Sequence, residues 1–351
     1  MDFRQWILDR CGETLERAVG GAEAVAGEIA ARWSERHRFW HGPAHLRALV
    51  EAIHGDDNAA DRDVLLLTAL YHDIVYDPTS AGNEEASAAL LLARALAAES
   101  PLVAEAARLI IASKWDSLPD DRLGRRFFDL DTAQLAAGRP FGERVAYERA
   151  IFGEYQFAPW PVYRQKRGEF LRTWADRFPQ HAAGAAQCQE ILGAMEPRIG
   201  VYPGSFNPFH RGHLGILRQA ESMFDKVIVA AGVNRRKADA SALEARCAAV
   251  RRQMRFHEVS GFEGLLTDFV ERLGYPAAVV RGVRDGTDLE AELRLSRFLN
   301  ELRPGTAIAW IACEAELQHL SSSAIRELDS IEPGAGKRYI PEAAEVYGLL
   351  A

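Results

Sequence analysis

Between Val201 and His213 the chain reads Val-Tyr-Pro-Gly-Ser-Phe-Asn-Pro-Phe-His-Arg-Gly-His. A strand, a Pro/Gly turn and an HxGH sequence fall within these thirteen residues, the arrangement of a site that handles the phosphates of a nucleotide. Gly204 lets the backbone come close to such a group, and a helix opening at Gly212-His213 aims its unpaired N–H groups at an anion. Two arginines follow in Val280-Arg-Gly-Val-Arg-Asp-Gly-Thr-Asp-Leu-Glu-Ala-Glu292, and the planar forks of Arg281 and Arg284 match phosphate oxygens in pairs. Leu320-Ser-Ser-Ser-Ala-Ile-Arg-Glu327 adds three hydroxyls at a helix start, which either cap the helix or cradle a phosphate. These are the parts of a nucleotide-handling site. A second constellation lies upstream: Trp40-His-Gly-Pro-Ala-His-Leu46, Ala69-Leu-Tyr-His-Asp-Ile-Val-Tyr76 and Phe128-Asp-Leu-Asp131. Apolar helices carrying His, His-Asp and Asp at long intervals can converge on one divalent metal inside a bundle.

The elements that must position these groups have two rhythms. Up to about Met195 apolar residues recur at three- and four-residue spacing, which predicts helices over Asp2 to Val19, Ala22 to Glu35, Ala44 to Ile53, Asp63 to His72, Asn83 to Glu99, Leu102 to Ser113, Gly142 to Tyr155 and Tyr163 to Arg177. No strand pattern interrupts them. After Pro197 short β-branched runs alternate with helices: Ile199 to Tyr202, Lys226 to Ala230, Ala277 to Val280 and Ala307 to Ile311. That alternation predicts a parallel sheet with helical crossovers. The boundary is expected between 195 and 196, on a helix continuing from Ala182. Two or three domains fit a chain of 351 residues. A formal charge of −8 with no basic run argues against a general nucleic-acid binder. Four dispersed cysteines without a CxxC pair argue for a reducing, cytoplasmic setting. The start at Met1 has mixed charge and no apolar core, and no uncharged apolar run is long enough to span a bilayer, so neither a signal peptide nor a membrane span is expected.

The stretch from Val201 to His213 resembles the first β/α unit of the nucleotidyltransferase superfamily. From about Arg198 onward the chain is similar to one subfamily, phosphopantetheine adenylyltransferase. That resemblance rests on the Arg-Gly-Val-Arg strand end with its acidic helix, the serine run, Asp225-Lys-Val-Ile-Val, Gly261-Phe-Glu-Gly-Leu-Leu and the Pro341-Glu ending. It implies a Rossmann-like fold and transfer of an adenylyl group from ATP, with Mg²⁺, to 4′-phosphopantetheine. It further implies that Ser205 touches both substrates, that Phe206, His213, Gly282, Arg284, Glu292, Ser321, Ser322 and Ser323 hold ATP, and that Lys237, Leu266 and Arg281 hold the acceptor. His213 and Lys237 would stabilise the transferring phosphorus, with Arg235 and Arg236 as substitutes for Lys237. No nucleophile is needed, because the acceptor phosphate is already anionic. A homo-oligomer, hexameric through this domain, is also implied. The spelling Ser-Phe-Asn-Pro with His-Arg-Gly-His occurs as well in nicotinate and nicotinamide mononucleotide adenylyltransferases, so a pyridine mononucleotide or another phosphorylated acceptor is the alternative.

Residues 30 to 180 resemble the HD superfamily of metal-dependent phosphohydrolases, including Asp77-Pro and Asn83-Glu-Glu-Ala-Ser87. The resemblance implies an all-α bundle that binds Mn, Fe, Zn or Mg through His45, His72, Asp73 and Asp131, with Asp129 as the other fourth ligand. His41, four residues before His45, corresponds to the histidine that protonates the leaving oxygen in cyclic-nucleotide phosphodiesterases. It would share a face with His45 if that turn were helical. Glu84 or Glu85 would position the attacking water. Gly42 stands where an Asn is usual. A non-catalytic, regulatory role for this half is the alternative.

Overall fold

The computed structural model describes residues 2–55, 59–97, 99–232 and 242–349. The chain divides into two units, one holding the residues up to Glu154 and Trp160–Met195, the other Tyr155–Pro159 and Glu196–Tyr347. The short segment Tyr155–Pro159, between two helices of the first unit, is thus counted with the second.

The first unit is helical throughout its described residues: α1 (Phe3–Ala18), α2 (Ala22–Trp33), α3 (Pro43–His54), α4 (Ala59–Tyr71), α5 (Asn83–Arg94), α6 (Pro101–Ala112), α7 (Arg122–Asp131), α8 (Phe141–Glu154), α9 (Trp160–Arg177) and α10 (Ala182–Ala194). Local chemistry sets their ends. Pro43 and Pro101 occupy first turns, where a missing N–H costs nothing, and Ser100 caps α6 by accepting the Val103 N–H at 3.3 Å. Along α3 Leu46, Leu49, Val50 and Ile53 are buried on one stripe, with His45 beside them. Two details differ from the sequence expectation. Helix α5 stops at Arg94 rather than Glu99, and α7 was not anticipated: it is ten residues long, carries a glycine, is half charged, and buries only Gly124, Phe127 and Phe128. Asp121 starts α7 by accepting the Gly124 N–H at 2.7 Å.

In the second unit strands and helices alternate through β1 (Ile199–Gly204), α11 (Arg211–Met223), β2 (Lys226–Gly232), α12 (Ala242–Gln253), β3 (Val259–Phe262), α13 (Leu266–Arg272), β4 (Ala278–Val283), α14 (Gly286–Leu302) and β5 (Ile308–Ala312), and α15 (Ser322–Ile331) and α16 (Ala343–Tyr347) follow. Five parallel strands lie in the order β3-β2-β1-β4-β5. The central runs Val227–Ala231 and Val279–Val280 are buried continuously, as strands covered on both faces must be. Strand β3 was not anticipated: Val-Ser-Gly-Phe is short, carries a Gly and a Ser, and pairs on one side only, with β2. No helix among the described residues is long and apolar enough to cross a membrane.

Candidate functional sites

The strand order reverses between β1 and β4, so their crossovers diverge and leave a crevice beyond the carboxyl ends of the strands. A cleft of about 820 Å³ opens there. Ser205 follows β1 into it, and His213 enters from the first turn of α11. Arg281, Gly282 and Arg284 come from the end of β4, Glu292 from α14 and Leu266 from the start of α13. Ser321, Ser322 and Ser323 close one side. All these sequence-selected residues therefore share one wall system. Lys237, Arg235 and Arg236 lie outside the described residues. Phe206 differs from the others: its ring is buried, it packs at 5.0 Å from the His213 ring, and its φ of 44° is left-handed. Any nucleotide contact at Phe206 falls to its backbone. Gly204 also has a packing reason, since a Cβ there would meet the Phe206 ring at 2.6 Å.

Hydrogen bonds decide what His213 offers. Its Nδ1 accepts the His210 backbone N–H at 3.2 Å, closing a capping box, so in the neutral ring the proton sits on Nε2 and is available as a donor. Burial, then repulsion by His210 and Arg284, holds the His213 pKa well below its usual value. The neutral ring then presents its Nε2–H as a donor. Burial and then Arg284 lower His210 to about 4.

The two arginines are each held by a carboxylate of α14. Arg281 Nε donates to Glu292 Oε2 at 2.6 Å, with Nη2 on the other oxygen, and Arg284 Nε and Nη2 donate to Asp288 at 2.6 and 3.0 Å. Glu292, assigned to the nucleotide by resemblance, here orients Arg281. An incoming phosphate must compete with these carboxylates for the guanidinium forks. The serine run likewise has local partners. Ser321 caps α15 by accepting the Ala324 N–H, Ser322 donates to the Pro208 carbonyl at 2.9 Å, and Ser323 accepts from Arg326. What remains for an anion on that side is the start of α15 itself.

Residues 201–328 match the family described as cytidylyltransferase-like. The phosphopantetheine adenylyltransferase of Clostridium perfringens is 35% identical over 148 residues, 41% of this chain and 89% of that protein. The chain belongs to the phosphopantetheine adenylyltransferase family. Phosphopantetheine adenylyltransferases of Carboxydothermus hydrogenoformans, 33% identical over 152 residues, and Rhizorhabdus wittichii, 32% identical over 148, are covered over 93% and 88% of their lengths and match 42% and 41% of this chain. Family membership thus concerns the C-terminal part, where the cleft lies.

The first unit gathers its own residues. One ligand atom each from His45 on α3, His72 just after α4 and Asp131 at the end of α7 lie within 4.8 Å of one another. His45 Nε2 is 3.2 Å and His72 Nε2 3.4 Å from Asp131 Oδ1, while Asp73 Oδ2 lies 3.0 Å from His72 Nε2. Asp73 touches the trio without completing it. The ring of His72 is set by Nδ1, which donates to the Ala69 carbonyl at 3.0 Å; Nε2 then carries a buried lone pair that meets no hydrogen-bond donor among the described residues. A nitrogen lone pair facing carboxylate oxygens needs a cation between them. A metal ion or a proton meets that need. Burial opposes charge on the ring, but Asp73 and Asp131 override it and push the His72 pKa well above its usual value. Of the other predicted groups, Asp129 is exposed and is not a ligand of this cluster. Glu85 pairs with Lys114 at 2.5 Å, whereas burial and then Asp73 raise the Glu84 pKa, leaving Glu84 as the glutamate near the cluster.

His41 is not on the helix of His45. Gly42 is the N-cap and Pro43 the first helical residue of α3, so His41 stands in the preceding turn and is oriented by a residue the sequence reading missed. Glu154 Oε1 accepts the N–H groups of Phe39, Trp40 and His41, and Oε2 engages His41 Nδ1 and the Tyr76 hydroxyl, both at 2.7 Å. Burial would raise the Glu154 pKa; His41 and these hydrogen bonds outweigh it and hold the carboxyl below its usual range. Trp115 was also missed. Its backbone is left-handed at φ 52°, and its indole N–H donates to Asp131 Oδ2 at 2.7 Å, leaving Oδ1 for the histidines. Buried Arg38 holds the Asp73–Ile74 turn by its carbonyls, and Asn83 clamps Asp77 from both backbone groups. Nothing in local spacing marks Glu154 or Trp115, which lie 113 and 16 residues from the groups they hold.

Proposed function

We propose that the second unit transfers an adenylyl group from ATP to 4′-phosphopantetheine, giving dephospho-coenzyme A and pyrophosphate, and that the first unit is an HD-type metal-dependent phosphohydrolase. The observation that carries the first part is the convergence of Ser205, His213, Arg281 and Arg284 on one cleft at the switch point of the sheet, in a chain of this family. Arg281 would receive the acceptor phosphate once it leaves Glu292. Arg284 would neutralise the triphosphate, which Mg²⁺ accompanies, and His213 Nε2–H would donate to oxygens of the transferring phosphorus. Because the acceptor is already an anion, these groups align and stabilise rather than attack. An acceptor panel with ATP, following pyrophosphate release, tests this. Turnover of phosphopantetheine is expected, and turnover of pyridine mononucleotides alone would reject the acceptor.

For the first unit the bare, buried Nε2 of His72 beside Asp131 and Asp73 carries the reading. His45, His72, Asp131 and Asp73 would hold a divalent ion, their imidazoles and carboxylates suiting Mn, Fe, Zn or Mg. When bound, the ion supplies Lewis-acid polarisation of a phosphate ester. His41 would give a proton to the leaving oxygen, and Glu84 would orient water. Metal analysis of protein purified without chelator, followed by a screen of phosphomonoesters and nucleotides, tests this. A chain that stays metal-free and inert with Mn²⁺, Fe²⁺, Mg²⁺ and Zn²⁺ supplied would leave the regulatory role.

A further inference from the structure

One carboxylate of the first unit meets more donors than any local element requires. Glu154 ends α8, and its side chain is fully shielded from solvent. Three successive backbone N–H groups, of Phe39, Trp40 and His41, reach Oε1 at 2.9, 2.7 and 2.8 Å. The Tyr76 hydroxyl and His41 Nδ1 reach Oε2. Five donors saturate the lone pairs of an ionised carboxylate, which has no proton of its own to give. Such a buried ionic group adds little net stability over an apolar one of similar size, so its consequence lies in what it orients.

Resting on the reading of His45, His72 and Asp131 as a metal site, we infer that Glu154 is the positioning residue for His41. It holds the Phe39–His41 turn in place and fixes the His41 proton on Nδ1. Proton exchange is then confined to Nε2, on the far edge of a ring that lies 6.1 Å from the His45 ring and 4.6 Å from that of Tyr76. When a leaving oxygen takes a proton, the proton departs from Nε2 and the one shared with Glu154 stays on Nδ1. The reach from His41 to Glu154 spans 113 residues, yet both belong to one unit.

Tautomers are read directly from long-range ¹H–¹⁵N spectra of the full chain labelled in histidine nitrogen, with His41 assigned by loss of its signals in His41→Ala. The wild type is expected to carry Nδ1–H on the basic side of the ring's titration. In Glu154→Gln the remaining oxygen keeps the three backbone N–H groups and an amide N–H faces His41 Nδ1, so the proton should move to Nε2. With bis(p-nitrophenyl) phosphate and Mn²⁺, kcat should fall by about tenfold to a hundredfold at nearly constant KM, because only proton delivery is impaired. Mn²⁺ affinity by calorimetry should change by less than the roughly tenfold seen when ligand support is removed. The double variant His41→Ala with Glu154→Gln should be no slower than His41→Ala alone. Glu154→Asp, which keeps the charge on a shorter arm, serves if the Gln variant does not fold. An unchanged Nδ1–H tautomer, or additive losses in the double variant, would overturn the inference. Failure of the wild type to take up Mn²⁺ strikes at the metal reading alone, and the tautomer measurement, which needs no metal, still decides the role of Glu154.

Discussion

The cleft of the second unit and the cluster of the first differ in how far along the chain their parts lie. Ser205, His210 and His213 come from one strand-turn-helix, and Arg281, Arg284 and Glu292 from another, so each piece is placed by its own short segment. His45, His72 and Asp131 come from three helices or their ends, with Glu154 and Trp115 supplied from elsewhere again. The protonation chemistry differs in the same sense. In the cleft burial keeps His213 neutral, whereas in the cluster the carboxylates keep His72 charged or ready for a cation. A site assembled from local motifs tolerates distant change, and one assembled by packing depends on every helix that contributes.

The sharpest separation of the two regions should come from Asp131→Asn. Removing the carboxylate shared by His45 and His72 is expected to weaken divalent-metal binding by about a hundredfold or more, at or beyond the upper end of what losing a ligand's supporting partner costs. Adenylyl transfer should persist, because the groups proposed to bind its phosphates lie after Pro197. Metal content and pyrophosphate release on the same sample check both halves. His213→Ala is the mirror experiment, expected to cut adenylyl transfer by about a hundredfold while leaving the metal in place. Unchanged turnover in a folded variant would remove His213 from the mechanism.

A smaller change probes the support of the cluster. Trp115→Phe deletes the indole donor to Asp131 Oδ2 and should weaken metal binding by about tenfold. Affinity equal to wild type by calorimetry would mean that packing alone orients Asp131. The smallest effect is on stability. His210, at about 4, and His213 are neutral in the folded chain, whereas an unfolded imidazole protonates near 6.5. The unfolded state therefore binds more protons below that pH; the stability due to these residues is complete above about 6.5 and lost as the pH falls toward 4. Thermal unfolding at pH 7.5 and pH 5 should differ by on the order of a few degrees, and part of that difference should vanish in His210→Gln.

Much of this was legible from local pattern. Apolar periodicity and Pro/Gly punctuation located most of the helices and four of the strands, and the strand-end arginines and the Pro-Gly-Ser turn singled out residues that line one cleft. Helix α7 escaped because it is short, largely charged and interrupted by a glycine, and β3 because four residues that include a Ser and a Gly give no alternation to read. The spacing of His41 and His45 suggested a shared helical face, and Pro43 at the first turn of α3 prevented it.

Side-chain types and their order along the chain determined which residues could meet phosphate or metal, since that follows from charge, donor count and ligand chemistry. Tertiary structure alone decided the states those residues are held in: His213 as an Nε2 donor, Arg281 and Arg284 on Glu292 and Asp288, His72 with Nε2 facing Asp73 and Asp131, and His41 bound to a glutamate 113 residues away. The physical reason is that tautomer, ionisation and orientation are set by whatever lies within hydrogen-bonding distance after packing, and a linear sequence carries no record of those distances.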